Sequence, residues 1–207
     1  MENIESSCFE NINQFQSLKH LVLENISFKE PYTFQLKNVE VLDFNNCRNV
    51  SFAQCFCNKI KDLYLNDCSI QQPESKLNFP KLEWYDYKNC NLNLNLLINF
   101  SSLKSLKRLI SEVIDFLSIE EIYSLEEIIL KRDESISFQT EKKMFEKIIS
   151  LESLRKANFY IYQLDDKEIS YIKGENKSLT ELKLHWSNNS RDYIFYNLKK
   201  KFLNLET

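Results

Sequence analysis

The sequence predicts an α/β solenoid, a repeat protein whose short strands stack into one parallel sheet. The first observation is a repeated spacing: residues 60–70 read IKDLYLNDCSI, and residues 82–92, twenty-two positions later, read LEWYDYKNCNL. Both segments have apolar or aromatic residues at positions one, four, six and eleven, and a cysteine at position nine. The second observation is that only 1 of 207 residues is glycine, which excludes the glycine-rich loops that cradle phosphates. The repeated spacing predicts that each copy forms one short strand followed by a return segment, which leads the chain back to the start of the next strand.

The same spacing extends to both sides of this pair. Copies are separated by 21 or 22 residues up to Leu82 and by 19 to 29 residues after it. Short intervals leave room for an extended return, whereas longer ones can hold a helix. We therefore expect short extended returns in the first half and helical returns in the second, most clearly from Thr140, the candidate N-cap, to Leu151. The first positions of the copies are Leu18, Val39, Ile60, Leu82, Leu106, Leu125, Leu154, Leu179 and Leu205.

The pattern L-x-x-L-x-L-x-x-(N/C)-x-L resembles the leucine-rich repeat family over nearly all of residues 18–207. The resemblance implies a right-handed horseshoe of about eight to nine repeats with a parallel concave sheet, after an N-terminal cap over residues 1–17. The ninth position, commonly asparagine in that family, differs here, so an asparagine ladder is absent there and the cysteines are interpreted as buried free thiols. The ninth positions are Ile26, Cys47, Cys68, Cys90, Ile114, Asp133, Tyr162 and Ser187.

Composition excludes several function classes. The formal net charge is -3, from 27 basic and 30 acidic residues, so no nucleic acid or anionic membrane is expected as partner. No signal peptide and no membrane-spanning run is seen, and we expect a cytoplasmic location. The abundance of asparagine, lysine, isoleucine and phenylalanine is attributed to codon bias rather than to function.

The two ends of the chain carry separate expectations. Residues 1–17 fit a short helix or irregular cap over the first repeat. The basic run 199–201 has apolar residues at helical spacing around it and is interpreted as part of an amphipathic helix rather than a nucleic-acid site. Because a strand signature restarts at Leu205, we expect a longer parent chain, or a partner or second copy that covers this end by end-to-end association.

Candidates for chemistry are weak. Cys55 and Cys57 form a C-x-C without the histidine partner or C-x-x-C spacing of zinc sites, so packing thiols are favoured. The two histidines, His20 and His185, belong to the first and eighth repeats and cannot form one site. The acidic pairs 120–121 and 165–166 fit solvated returns. We therefore expect no catalytic residue, no metal and no cofactor.

The best functional signal lies on the strands themselves. Period-two alternation directs positions four and six inward and leaves positions three and five on the concave face. Asp43, Tyr64 and Asp86 would then form one column, with Asp62 and Trp84 beside it. The first half of this face is predicted to be acidic and aromatic, and the second half more basic or apolar. The candidate partner-binding residues are Asp43, Asp62, Tyr64, Trp84, Asp86, Arg108 and Lys183.

The sequence thus predicts a non-catalytic module that binds a protein partner of unknown identity through the concave face, because exposed aromatic residues flanked by charge are typical of protein recognition. Two alternatives stay open. The chain could be the targeting or substrate-recognition part of a larger enzyme or effector, of the ubiquitin-ligase adaptor type. It could also be a structural subunit of a large assembly.

Overall fold

The structure, a computed structural model of the chain, describes residues 3–4, 14–34, 37–52, 57–92, 94–119, 122–131, 135–164, 166–186 and 201–202. Within these residues, eight strands form a large parallel sheet and helices are few, an arrangement compatible with an α/β repeat fold. No helix of the described residues is long and apolar enough to cross a membrane.

The chain divides into two compact units. Unit 1 comprises residues 1–106 and 119–121, and unit 2 comprises residues 107–118 and 122–207. The elements of unit 1 are β1 (Asn3–Ile4), β2 (His20–Glu24), β3 (Ser27–Phe34), β4 (Val41–Asn45), β5 (Arg48–Phe52), β6 (Asp62–Asn66), β7 (Trp84–Lys88), α1 (Leu94–Leu97) and a 3-10 turn (Phe100–Ser102). Those of unit 2 are β8 (Arg108–Ser111), α2 (Val113–Ser118), β9 (Glu127–Leu130), α3 (Phe138–Ser150), β10 (Lys156–Ile161), α4 (Asp166–Tyr171) and β11 (Glu181–Trp186).

In unit 1 the strands of the large sheet run in the order β2-β4-β6-β7. Every second side chain is apolar or aromatic, and all of these except the half-buried Leu23 are buried; the parallel register aligns Leu42 with Leu63 and Leu63 with Tyr85. Alternate side chains share one face because the strand period is two. Each strand begins two residues after a predicted first position, so the phase read from the sequence is confirmed for these strands.

Asparagine and aspartate residues make the turns that follow these strands. Asn25, Asn46, Asp67 and Asn89 have φ values of 56°, 52°, 53° and 51°, in the left-handed region. Asparagine and aspartate adopt this conformation more readily than other residues with a side chain. The Asn46 side chain also donates to Asn25 Oδ1 at 2.8 Å, and Asn89 donates to Asp67 Oδ1 at 3.0 Å. Part of the asparagine content is therefore structural, and the attribution to codon bias was incomplete.

The next position carries the cysteines, which act as hydrogen-bond donors as well as packing groups. Their Sγ atoms donate to carbonyl oxygens of the preceding strand: Cys47 to Leu23 at 3.3 Å and Cys68 to Phe44 at 3.3 Å. Cys90 donates to the carbonyl of Leu65 at 3.4 Å. The prediction that asparagine is absent from the ninth position is correct. A thiol ladder stands there, next to an asparagine and aspartate ladder at the eighth position.

The extended segments expected between the first strands are present. Strands β1, β3 and β5 form a second parallel sheet in the order β1-β3-β5. Phe34 of β3 is fully buried and its ring centroid lies 5.2 Å from that of Phe44 in β4, so aromatic packing joins the two sheets of unit 1. Of the predicted cap over residues 1–17, Asn3–Ile4 form a strand instead of a helix, and residues 5–13 lie outside the described part of the chain.

In unit 2 the strands of the large sheet run in the order β8-β9-β10-β11. Along the chain, one helix follows each of β8, β9 and β10. The helix predicted from Thr140 to Leu151 is confirmed as α3, but its cap was assigned wrongly. Ser137 is the N-cap, and its hydroxyl accepts from the Thr140 amide at 3.1 Å. This bond satisfies one of the amides that a helix start leaves without an intrahelical partner.

The phase of the fifth repeat was wrong at its ninth position. Ile114, expected to be buried, is 51% exposed, whereas Val113 and Phe116 are buried. The reason is that α2 begins at Val113, so the strand period no longer decides which side chain points inward. Other predicted positions lie outside the described residues: Asp133, Ser187, Leu205, Lys199, Lys200 and Cys55.

A buried carboxylate joins α3 to the segment after β10. Glu141 is 0% exposed, and its two oxygens accept three backbone amides, from Tyr162 at 2.5 Å, Gln163 at 2.8 Å and Leu164 at 2.7 Å. A buried charge is costly unless it is well hydrogen-bonded, and three amides meet that requirement.

A buried asparagine closes the other end of α3. Asn176 is 2% exposed, and its Nδ2 donates to the carbonyls of Leu151 at 2.8 Å and Ile148 at 3.2 Å. Its Oδ1 accepts from the amide of Leu179 at 2.8 Å. Gly174, two residues before Asn176, has φ 93°, a backbone conformation that glycine adopts readily.

Candidate functional site

The column expected on unit 1 is present. Parallel pairing places Asp43 opposite Tyr64 and Tyr64 opposite Asp86, while Asp62 lies opposite Trp84. Neighbouring strands are about 4.8 Å apart, so Asp43 and Asp86 bracket Tyr64 over roughly 10 Å. We call this set the acidic-aromatic face; it consists of Val22, Asp43, Asp62, Tyr64, Trp84 and Asp86.

The aromatic part of this face is a ring pair. The centroids of Tyr64 and Trp84 lie 6.1 Å apart with the ring planes at 50°. Both side chains are partly exposed, and Val22, at the start of the column, is 57% exposed. Rings and an aliphatic side chain therefore accompany the carboxylates, which adds apolar contact area to charge.

Two carboxylates of the face, Asp43 and Asp62, lie in an unfavourable environment for negative charge. Burial, followed by the charges of Glu24 and Asp86, raises the pKa of Asp43. Burial and Glu83 raise the pKa of Asp62, although Lys61 and His20 partly oppose this change. A raised carboxyl pKa means that the charged form is stabilised less than it is in water.

The neighbouring column of the same strands behaves in the opposite way. Glu40 accepts from Lys19 and from Lys61, both at 2.7 Å, and these two lysines lower its pKa from 4.5 to about 2. The partial burial of Glu40 opposes this change but is the smallest contribution. Lys19 and Lys61, which directly precede β2 and β6, are thus already paired with Glu40.

Unit 2 presents outward positions of mixed charge. Arg108 Nε lies 3.2 Å from Glu127, and Glu181 lies 3.1 Å from Lys156 and 3.3 Å from Lys183. Lys156 and then Lys183 lower the pKa of Glu181. The apolar side chains expected here, Ile110 and Ile129, are paired in register. The prediction of a basic or apolar half thus omitted the two glutamates, which neutralise much of the positive charge.

The structure therefore brings five of the seven predicted residues together on unit 1 and places Arg108 and Lys183 in ion pairs of unit 2. It also adds residues that the sequence reasoning missed. On unit 2, the ring of His185 stacks on Tyr160 with centroids 4.5 Å apart, and its Nε2 lies 3.0 Å from Asn158 Oδ1. Applying the alternation rule to position seven of each strand would have identified this aromatic pair.

The cysteines give a structural site rather than a chemical one. In the described ranges Cys47, Cys57, Cys68 and Cys90 are free thiols, and the first three are buried. The neighbouring thiols of Cys47 and Cys90, together with burial, raise the pKa of Cys68, which keeps it protonated as a donor. No three histidine, cysteine, aspartate or glutamate side chains of the described residues come together as a metal site.

Comparisons with known proteins add no relative. No protein-family model matches the sequence, and no curated protein matches it either.

Proposed function

We propose that the chain is a leucine-rich-repeat-type solenoid that binds a protein partner through the exposed face of its parallel sheet, without catalysing a reaction. The observation that carries this proposal is the acidic-aromatic face of unit 1. Its ring pair, Tyr64 and Trp84, lies in register with three carboxylates on consecutive strands. Aromatic side chains on a rigid scaffold bury large area at low entropic cost, which is typical of residues that dominate protein interfaces.

The strand arrangement supports the solenoid part of the proposal. In unit 1 the parallel strands of the large sheet begin two residues after the predicted first positions, a left-handed turn residue follows each strand, and a thiol donor follows every strand except β2. In a right-handed solenoid the sheet lines the concave side, where a partner can contact several repeats at once. Because each of these side chains lies on a strand, its backbone is already ordered before binding, and binding therefore loses less conformational entropy.

The test is a double variant of the ring pair, Tyr64→Ala with Trp84→Ala. Proteins captured by the immobilised full-length chain would be cross-linked and identified, and their affinity for each variant measured. We expect the double variant to bind a genuine partner at least tenfold more weakly, because hot-spot aromatic residues each contribute about 2 kcal/mol. Circular dichroism would verify that the variant keeps the secondary structure of the native chain.

A matched control removes two exposed aromatic rings elsewhere. Tyr123 is 79% exposed and Tyr171 is 68% exposed, both in unit 2. The variant Tyr123→Ala with Tyr171→Ala should bind as the native chain does. Equal loss in both variants, or loss in neither, would rule out the acidic-aromatic face as the binding surface.

A further inference from the structure

The outward positions of unit 1 carry an imbalance of charge. On β2, β4, β6 and β7 the side chains that alternate with the buried ones include four carboxylates and one lysine. Two further lysines, Lys19 and Lys61, are both bound to Glu40 in the neighbouring column. The carboxylates are Glu24, Asp43, Asp62 and Asp86, and the lysine is Lys88.

The effect of this imbalance is visible on the carboxylates. Glu24, on the neighbouring strand β2, and Asp86, on β7 two strands away in the other direction, both raise the pKa of Asp43. At Asp62 the repulsion comes from Glu83, and Lys61 and His20 offset only part of it. A cation brought to this surface would therefore relieve repulsion that exists before binding.

The rings decide which cation fits best. Tyr64 lies between Asp43 and Asp86 in register, and Trp84 lies opposite Asp62. A guanidinium group binds carboxylate oxygens through its planar set of donors and also stacks on aromatic rings, which an ammonium group does less well. Two carboxylates on either side of the Tyr64 ring, with Trp84 and Asp62 in the next column, favour arginine over lysine.

We propose that the acidic-aromatic face of unit 1 binds an arginine-rich, extended segment of a protein partner. This inference rests on the proposed function and specifies the chemistry of its partner. The occupant is a polypeptide segment because the column crosses consecutive strands over roughly 10 Å, a length that three residues of extended chain span. Val22, which is 57% exposed, provides an apolar contact at the end of the same column.

The test starts from a phage library of random twelve-residue peptides selected on the immobilised full-length chain. We expect arginine to be enriched at least twofold over the unselected library and aspartate and glutamate to be depleted. Synthetic copies of selected peptides would then be titrated while the indole N–H signals of Trp84 and Trp186, the two tryptophans of the chain, are followed by NMR. The Trp84 signal should shift and that of Trp186, in unit 2, should not.

Two matched charge variants complete the design. Asp43→Asn with Asp86→Asn should weaken the selected peptides about fivefold to tenfold, since each partly exposed charge pair contributes up to about 1 kcal/mol. Glu30→Gln with Glu74→Gln removes the same charge from exposed positions of unit 1 away from the face and should leave affinity within twofold. Replacing arginine by citrulline in the peptides should have the same effect as the first variant.

The outcomes separate the two proposals. Peptides without arginine enrichment, or peptides that bind the Asp43→Asn, Asp86→Asn variant normally, would overturn this inference and leave the proposed function standing. Peptides that also ignore Tyr64→Ala with Trp84→Ala, or a library that yields no binder, would overturn both. Sedimentation of the chain alone provides the last outcome. If the native chain is a dimer and the Asp43→Asn, Asp86→Asn variant is a monomer, the face binds a second copy of the chain, and the inference of an arginine-rich partner segment is overturned.

Discussion

Unit 1 and unit 2 hold their segments between strands in different ways. In unit 1 similar bonds recur from repeat to repeat, because asparagine, aspartate and, from the second repeat on, cysteine occupy equivalent positions with 21- or 22-residue spacing. In unit 2 two buried polar side chains, Glu141 and Asn176, each collect several backbone groups around α3. The stabilising side-chain hydrogen bonds are thus distributed over several repeats in unit 1, whereas in unit 2 they are concentrated on two buried side chains.

The outward charges differ in a parallel way. Unit 2 has Arg108, Lys156 and Lys183 within ion-pair distance of a glutamate. On unit 1 the carboxylates of the acidic-aromatic face repel one another instead. Ion pairs between charged side chains contribute to the fold of unit 2, whereas a face on which Glu24 and Asp86 raise the pKa of Asp43 is the better candidate for binding a cation.

Removing the carboxylate of unit 2 should have the largest effect. Glu141→Ala leaves three backbone amides without their acceptor, so we expect the free energy of unfolding to fall by about 2–4 kcal/mol. Urea unfolding followed by Trp186 fluorescence, in a Trp84→Phe background, would measure this loss. Glu146→Ala, at an exposed position of the same helix, is the control and should change stability by less than about 0.5 kcal/mol. Similar losses in both variants would contradict the concentrated arrangement.

A single turn of unit 1 should be less sensitive. Asn46→Ala places a residue with a β-carbon but no polar group at φ 52°, and it removes the bond to Asn25, so a loss of about 1–2 kcal/mol is expected. Asn46→Gly keeps the left-handed backbone accessible and should lose less than half as much. Urea unfolding followed by Trp84 fluorescence distinguishes the two. If Asn46→Gly loses as much stability as Asn46→Ala, the hydrogen bond of the Asn46 side chain, and not the left-handed backbone, explains why asparagine occupies this position.

The acidic-aromatic face should gain stability when it loses charge. Because the pKa of Asp43 is raised in the folded chain, its carboxylate opposes folding at neutral pH. This penalty decreases as the pH falls through the raised pKa and is gone below the ordinary value of 3.8. Asp43→Asn should therefore raise the free energy of unfolding at pH 7 by up to about 0.5 kcal/mol, a surface-sized effect, and should give no gain near pH 3.5. Melting curves at pH 7, 5.5 and 3.5 test the sign, and a decrease at pH 7 would contradict it.

The smallest effect, of opposite sign, is expected one column away. The lowered pKa of Glu40 means that its carboxylate supports folding above pH 4.5, and this support is lost as the pH falls to about 2. Glu40→Gln should lower the melting temperature at pH 7 by no more than about 1 °C, because Lys19 and Lys61 lose a partner at an exposed site. The difference should disappear in 1 M salt, where exposed charges are screened. A difference that persists in salt would show that packing, not charge, is involved.

The sequence predicted the strands well because burial by alternation leaves a direct mark on residue type. Leu42, Leu63 and Tyr85 occupy the inward positions that the pattern required, and the outward column of Asp43, Tyr64 and Asp86 followed from the same rule. A local period of two residues is enough to determine both faces of a strand.

Other features depend on contacts that no local pattern records. Glu141 lies on a helix surface where a glutamate is ordinarily solvated, and only the segment after β10, about 21 residues away, explains its burial. The partner of Arg108 is likewise decided by the neighbouring strand β9, whereas the pair of Lys183 and Glu181, two positions apart on one strand, is a local one. The face of unit 1 could be predicted residue by residue, whereas its charge balance required the structure.

The thiol ladder has a consequence for the order of the strands. Each cysteine donates to a carbonyl of the strand before it, so a donor at the ninth position is useful only where such a strand exists. In the sheet order of the described residues β2 is an edge strand, and the ninth position of its repeat is Ile26, which has no donor. Donors start at the next repeat, with Cys47. Among the first four repeats this position therefore distinguishes the edge strand of the described sheet. A serine or cysteine placed at residue 26 would lack the carbonyl of a preceding strand and would have only the carbonyl two residues earlier on its own strand, which the three cysteines also approach.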